Sequence, residues 1–157
     1  MIHMESMSLG GVPVNIDENG QAVNRLILDT GTTYFAVPSF AIRNVLSLTK
    51  SRLCRDLDDG PSLEIVLRDR DDRKVTLRLE PAEYMVTSVA PENVDAANHG
   101  LNSVCDPAFM AIDVPADHGP AFLLGEVFMR STHFNIRFMI HFENVLQNIE
   151  SISKKMY

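Results

Sequence analysis

The stretch Leu26-Ile27-Leu28-Asp29-Thr30-Gly31-Thr32-Thr33 constrains this chain more than any other. Its apolar opening, residues 26–28, reads as a buried strand. The strand delivers a carboxylate to a turn, with hydroxyl residues on both sides of a glycine. A carboxylate leaving a buried strand is costly unless donors satisfy it. Here the donors are adjacent: the Thr30 and Thr32 hydroxyls and the backbone amides around Gly31. Glycine lets the chain turn sharply and pass near a carboxylate with no side chain in the way. Asp, Thr and Gly also favour ordinary turns. The tripeptide alone therefore leaves two readings, a plain turn or a held, reactive acid.

The remaining sequence narrows what such a loop can belong to. At 157 residues the chain makes one domain with room for a real core, and 45% of its residues are hydrophobic. The net charge of −7 argues against nucleic-acid binding, which needs a basic face, and against attraction to anionic membranes. No apolar run approaches the length of a bilayer span, and no basic-then-apolar leader opens the chain. The five histidines (His3, His99, His118, His133, His141) form no cluster with metal-ligand spacing, so neither a metal site nor a cofactor is expected. There is no Gly-x-Ser-x-Gly elbow for a serine hydrolase. Gly10-Gly11 lacks the Gly-Lys-Ser/Thr ending of a phosphate loop.

The patterning is mostly that of strands. Residues 12–16 and 22–28 read as a hairpin around Glu18-Asn19-Gly20. Residues 63–68 and 75–79 alternate apolar and polar around an Asp-rich turn, which predicts a second hairpin with one wet face. The charge run 68–74 is then a solvated tip rather than a ligand site. Residues 83–89, 109–114 and 121–124 read as further strands, and 91–100 as a polar loop. A helix follows Pro38, with Ser39 as its N-cap and Ile42, Val45, Leu46 and Thr49 on its apolar face. A short helix follows Gly125. Residues 133–142 read as strand, and 144–157 as a divergent, polar tail.

Taken in order, three features resemble a known family. These are Asp29-Thr30-Gly31-Thr32-Thr33, the helix after Pro38, and the later segment Phe122-Leu123-Leu124-Gly125-Glu126-Val127-Phe128-Met129-Arg130. The set resembles the C-terminal, second lobe of pepsin-like aspartic proteases. That lobe carries Asp-Thr/Ser-Gly-Thr/Ser and, later, apolar-Leu-Gly-Asp-Val-Phe, with Glu126 standing here for the Asp. The opening residues 2–11 resemble the strand that enters the second lobe. The lobe is taken as 1–143, with 144–157 as the tail. The implied fold is mainly β, a pepsin-like acid protease lobe of orthogonally packed sheets with one or two short helices.

The resemblance also implies chemistry. Asp29 would be one of two carboxylates, about 3 Å apart and sharing a proton, that activate water for peptide-bond hydrolysis. Thr30 would lock paired loops together, and Thr32 would donate to the Asp29 carboxylate. The Gly31 backbone and the Thr33 hydroxyl would contact the substrate main chain. Gly125 would be structural, on a segment that threads the loop carrying Asp29. Ile27, Ile112, Val114 and Leu124 would face substrate side chains, although each could equally be plain core. Cys54 and Cys105 are either two free thiols or, as the family's placement implies, a disulfide. A bridge would point to a secreted, secretory-pathway or acidic endolysosomal-type location.

The family has one Asp-Thr/Ser-Gly motif per lobe, and this chain has one in all. Three readings compete. The chain is the second lobe of a two-lobe endopeptidase whose first lobe is its missing partner. Alternatively it pairs with itself as retropepsins do, or it is an inactive, protease-derived binding lobe. In each case a peptide or protein is the expected partner.

Overall fold

The computed structural model describes residues 2–68, 72–88, 103–115 and 119–130. The expectations for residues 89 and 91–100, the strand 133–142, the tail 144–157 and four of the five histidines lie outside the described residues. So does the tip 69–71.

Strand β1 (Ile2–Leu9) turns through Gly10-Gly11 into β2 (Val12–Pro13), which folds back on it. Next come β3 (Asp17–Glu18) and β4 (Gln21–Ala22), a small hairpin. Then follow β5 (Arg25–Leu28), β6 (Phe35–Val37), helix α1 (Ser39–Thr49) and β7 (Arg52–Leu53). A 3₁₀ segment, Cys54–Asp59, leads to the hairpin β8 (Leu63–Arg68) and β9 (Lys74–Leu79). Helix α2 (Pro81–Tyr84) precedes β10 (Met85–Thr87), β11 (Val104–Pro107) and β12 (Phe109–Ala111). The described chain closes with β13 (Phe122–Leu124) and α3 (Glu126–Arg130). The architecture is mainly β with a few short helices.

The main sheet runs β12-β6-β13-β5-β1-β8-β9, with β2 on β1. A smaller sheet runs β10-β11-β7. The chain arranges the site through β13. It lies between β5 and β6, parallel to the first (Phe122↔Leu26, Leu124↔Leu28) and antiparallel to the second (Leu123↔Ala36). The chain linking β5 to β6 must therefore cross over an inserted strand, a gap of about 10 Å at normal strand spacing. That crossing is residues 29–34.

The core gathers beneath the crossing. Phe35 packs against Phe109 with ring centroids 5.2 Å apart and against Phe128 at 6.2 Å, and Tyr84 meets Phe109 at 5.8 Å. Tyr84 is fully buried and its hydroxyl donates to the Pro61 carbonyl. Burial pushes its pKa up to about 12. Cys54 and Cys105 form a disulfide with Cα atoms 5.0 Å apart, which closes the choice left open by the sequence. It ties the 3₁₀ segment to β11. With the cysteines 51 positions apart in sequence, the chain-entropy account gives a stabilisation of about 4 kcal/mol.

Several local expectations are corrected. The Asn19-Gly20 turn is present, both residues having positive φ (52° and 80°), but its strands are short. Residues 12–13 pair with β1 and residues 25–28 with β1 and β13, rather than with each other. Glu83 and Tyr84 are helical rather than strand. Pro81 sits in the first turn, and the Glu80 amide donates to Glu83 Oε2 at 2.8 Å, so a local capping pattern overrides the apolar run. Of residues 109–114 only Phe109–Ala111 are strand. In α1 the buried face is Ala41, Val45 and Thr49, whereas Leu46 is 42% exposed. The helix is rotated so that small residues approach the sheet. Ser39 is the first helical residue, not the N-cap. Pro38 occupies that position and has no side-chain acceptor.

Both strands of the predicted hairpin are present and paired, Leu63–Arg68 against Lys74–Leu79. Leu63, Ile65 and Leu67 face the core, and the wet face carries ion pairs. Glu5, beside a bulge in β1, takes Arg68 at 3.0 Å and Lys74 at 2.5 Å. Arg78 pairs with Glu64 and Glu80, at 3.1 and 2.9 Å. Of the charge run, Arg68 and Lys74 are both tied to Glu5 within the sheet, and Arg68 also pairs with Asp72.

Candidate active site

Asp29 follows directly from β5, and its own amide donates to the Leu124 carbonyl at 3.0 Å, which extends the β5–β13 pairing by one bond. Its side chain is held at both oxygens. The Gly31 amide donates to Oδ1 at 2.9 Å, and the Thr32 hydroxyl donates to Oδ2 at 2.6 Å. Each of these is a hydrogen bond to an anionic acceptor, the strong class. A Cβ on Gly31 would lie 3.2 Å from Asp29 Oδ1. The glycine therefore eases close approach to the carboxylate. Its φ lies outside the positive range, so unusual backbone conformation is not the reason.

The far side of the loop is fixed from below. The Thr32 carbonyl accepts from the Glu126 amide at 2.7 Å and the Thr33 carbonyl from the Val127 amide at 3.0 Å. The first free amides of α3 are thereby satisfied by the loop that β13 threads. Gly125 passes directly under this crossing. A Cβ there would come within 2.2 Å of the Tyr34 carbonyl oxygen and 2.4 Å of that of Thr32. Both atoms are backbone, so no side-chain rotation could relieve the clash. Glu126, which replaces the expected Asp, pairs with Arg130 along α3.

Asp29 and Thr32 are half-buried, whereas Thr30, Gly31 and Thr33 are exposed. The loop thus presents one restrained carboxylate, with exposed hydroxyl and backbone groups beside it. Ile27, Ile112 and Val114 keep partial exposure. Leu124 is 1% exposed and belongs to the buried cluster with Phe35 and Phe128, so its side chain is core and not part of a wall. Among the described residues no group of three or more His, Cys, Asp or Glu could hold a metal. His3 contacts Asn24 at 3.1 Å.

The sequence reading missed Asp113. Its Oδ1 accepts the Ser39 amide at 2.8 Å, across 74 residues of chain. The available signal was indirect: a helix opening after Pro38, which has no side chain with which to cap it.

The protein-family model described as eukaryotic aspartyl protease matches residues 1–143. The chain belongs to that family. This aspartyl protease chain is 34% identical to Aspartic protease 3 of Toxoplasma gondii and 31% identical to Plasmepsin IX of Plasmodium falciparum. Each match covers 68% of this chain and 15% of the relative. It is also 24% identical to Pepsin A of Bos taurus over 82% of its length, which is 31% of that protein. The aspartyl protease chain therefore spans well under half of the relatives it matches. Among its described residues no helix is long and apolar enough to cross a membrane.

Proposed function

We propose that this chain is the second lobe of a two-lobe aspartic endopeptidase and that Asp29 supplies one of its two carboxylates. The restraint of both Asp29 oxygens, by the Gly31 amide and the Thr32 hydroxyl, carries the reading. Family membership supports peptide hydrolysis as the reaction. A first lobe would bring a second carboxylate beside Asp29. Two carboxylates so close cannot both ionise, so the pair shares a proton. The ionised member takes a proton from a bound water as that water attacks the peptide carbon. The protonated member donates to the carbonyl oxygen. Collapse of the tetrahedral intermediate then breaks the C–N bond, with a proton passed to the leaving amine.

In that assembly Thr30 faces the partner loop. The Gly31 backbone and the Thr33 hydroxyl meet the substrate main chain, and Ile27, Ile112 and Val114 offer an apolar wall to its side chains. The disulfide supports an oxidising setting, in the secretory pathway or an acidic compartment beyond it.

The test is cleavage of a quenched peptide at acid pH by the chain assembled with a first lobe, against Asp29→Ala in the same assembly. Loss of cleavage is expected, and retained cleavage sinks the proposal. The chain alone, sedimented across concentration on the same samples, is expected to be inactive. Activity that rises with its dimer fraction would instead favour self-pairing.

A further inference from the structure

We propose that Asp113 is a positioning residue, whose carboxylate clamps the Ile112–Val114 wall to the N-terminus of α1; its bearing on substrate rests on the function proposed above. Three observations carry the clamp. Asp113 Oδ1 accepts the Ser39 amide at 2.8 Å. The adjacent Ile112 amide donates to the Val37 carbonyl at 3.0 Å. Helix α1 has no side-chain cap of its own and no acidic residue in its first turn. A short segment beyond β12 is thus held twice, by backbone and by side chain, to the Val37-Pro38-Ser39 junction.

The arrangement suits its location. The first turn of a helix exposes amides that its own backbone cannot satisfy, and the helix dipole favours a negative charge there. Asp113 provides that charge from another part of the fold, where an ordinary N-cap would come from the residue preceding the helix. Its carboxyl is held below the usual carboxylate range, first by the Ser39 amide and then by the Ser39 hydroxyl, against the opposing effect of desolvation. The same junction continues through β6 to the crossing that bears Asp29. The clamp therefore fixes Ile112 and Val114 relative to the strand that leaves the Asp29 loop. Without it, the Ile112 amide would still tie the segment to Val37 at the end of β6, but the side-chain tie to α1 would be lost.

Two variants break the same bond from opposite ends. Asp113→Ala removes the acceptor. Ser39→Pro removes the donor while keeping a residue suited to the first helical position. Amide hydrogen exchange on this chain is expected to rise about fivefold at Ile112 in both, the size of a lost cap. The Gly31 amide, bonded to Asp29, serves as the unaffected control. Asp113→Asn keeps the acceptor and is expected to restore most of the protection. In the chain assembled with a first lobe, Asp113→Ala and Ser39→Pro are expected to raise KM severalfold with kcat nearly unchanged.

Unchanged exchange at Ile112 in both variants overturns the clamp. Faster exchange with unchanged KM overturns its role in holding the wall. Cleavage that survives Asp29→Ala overturns the endopeptidase reading, and the wall's role with it, while exchange at Ile112 still decides the clamp.

Discussion

The two halves of the main sheet are built on different principles. On the β1-β8-β9 side, strands of six to eight residues pair antiparallel, one face buried and the other carrying ion pairs. On the β12-β6-β13-β5 side, strands of three or four residues mix parallel and antiparallel pairing, and a loop crosses an inserted strand. The first half is held by side-chain alternation, which tolerates change on its wet face. The second is held by backbone groups packed so closely at Gly125 that a methyl group has no place to go. A loop that presents a carboxylate gains from the second construction, because main-chain bonds fix the backbone on either side of it.

Adding or removing one carbon in each half tests this contrast. Gly125→Ala forces a Cβ against two carbonyl oxygens, and a loss of about 3 kcal/mol or more is expected. The urea midpoint of the chain measures it, and a shift below about 1 kcal/mol would show that the crossing is looser than described. Thr32→Val removes the hydroxyl that donates to Asp29 Oδ2 and leaves the volume. A loss of about 2 kcal/mol is expected for a bond to a charged acceptor. In the assembled enzyme it should lower kcat, and an unchanged kcat would deny the hydroxyl a part in holding the carboxylate. Ile65→Val, in the antiparallel half, removes a single buried methylene, for about 1 kcal/mol. If it costs as much as Gly125→Ala, the contrast between the halves fails.

The smallest effect belongs to the wet face. Lys74, by hydrogen bonding, is the main cause holding Glu5 below its ordinary value of 4.5, with Arg68 adding to it. A carboxylate whose pKa is lowered by folding contributes stability above its unfolded value. That contribution is lost as pH falls through the lower, folded value. Stability should therefore decline from about pH 4.5 downward, and Glu5→Gln should flatten that part of the profile slightly. A Glu5→Gln curve that overlays the parent curve would show these ion pairs to be inert.

Wherever a local pattern decided the outcome, it was visible in advance. The alternation of residues 63–79 required one wet face. The Asn19-Gly20 dipeptide required a turn. Failures came where two local signals competed or a distant partner intervened. Residues 83 and 84 look like strand until Glu80 and Pro81 are counted as a helix start. The apolar stripe of α1 pointed to Leu46, but the sheet accepts Ala41, because the small side chain allows close approach. Leu124 reads equally as wall or core by type, and its enclosure made it core.

By itself, the sequence determined the chemistry of the Asp29 loop: a carboxylate, two donors within three residues of it, and a glycine that leaves room for them. It also determined that residue 125 carries no side chain. Only the tertiary structure decided what those choices are for. Insertion of β13 between β5 and β6 brings Gly125 beneath the Thr32 and Tyr34 carbonyls, and the turn of the chain beyond β12 brings Asp113 to Ser39. Such contacts join residues far apart in the chain. The energy of each depends on a distance that no local pattern encodes, and packing of the whole domain sets that distance.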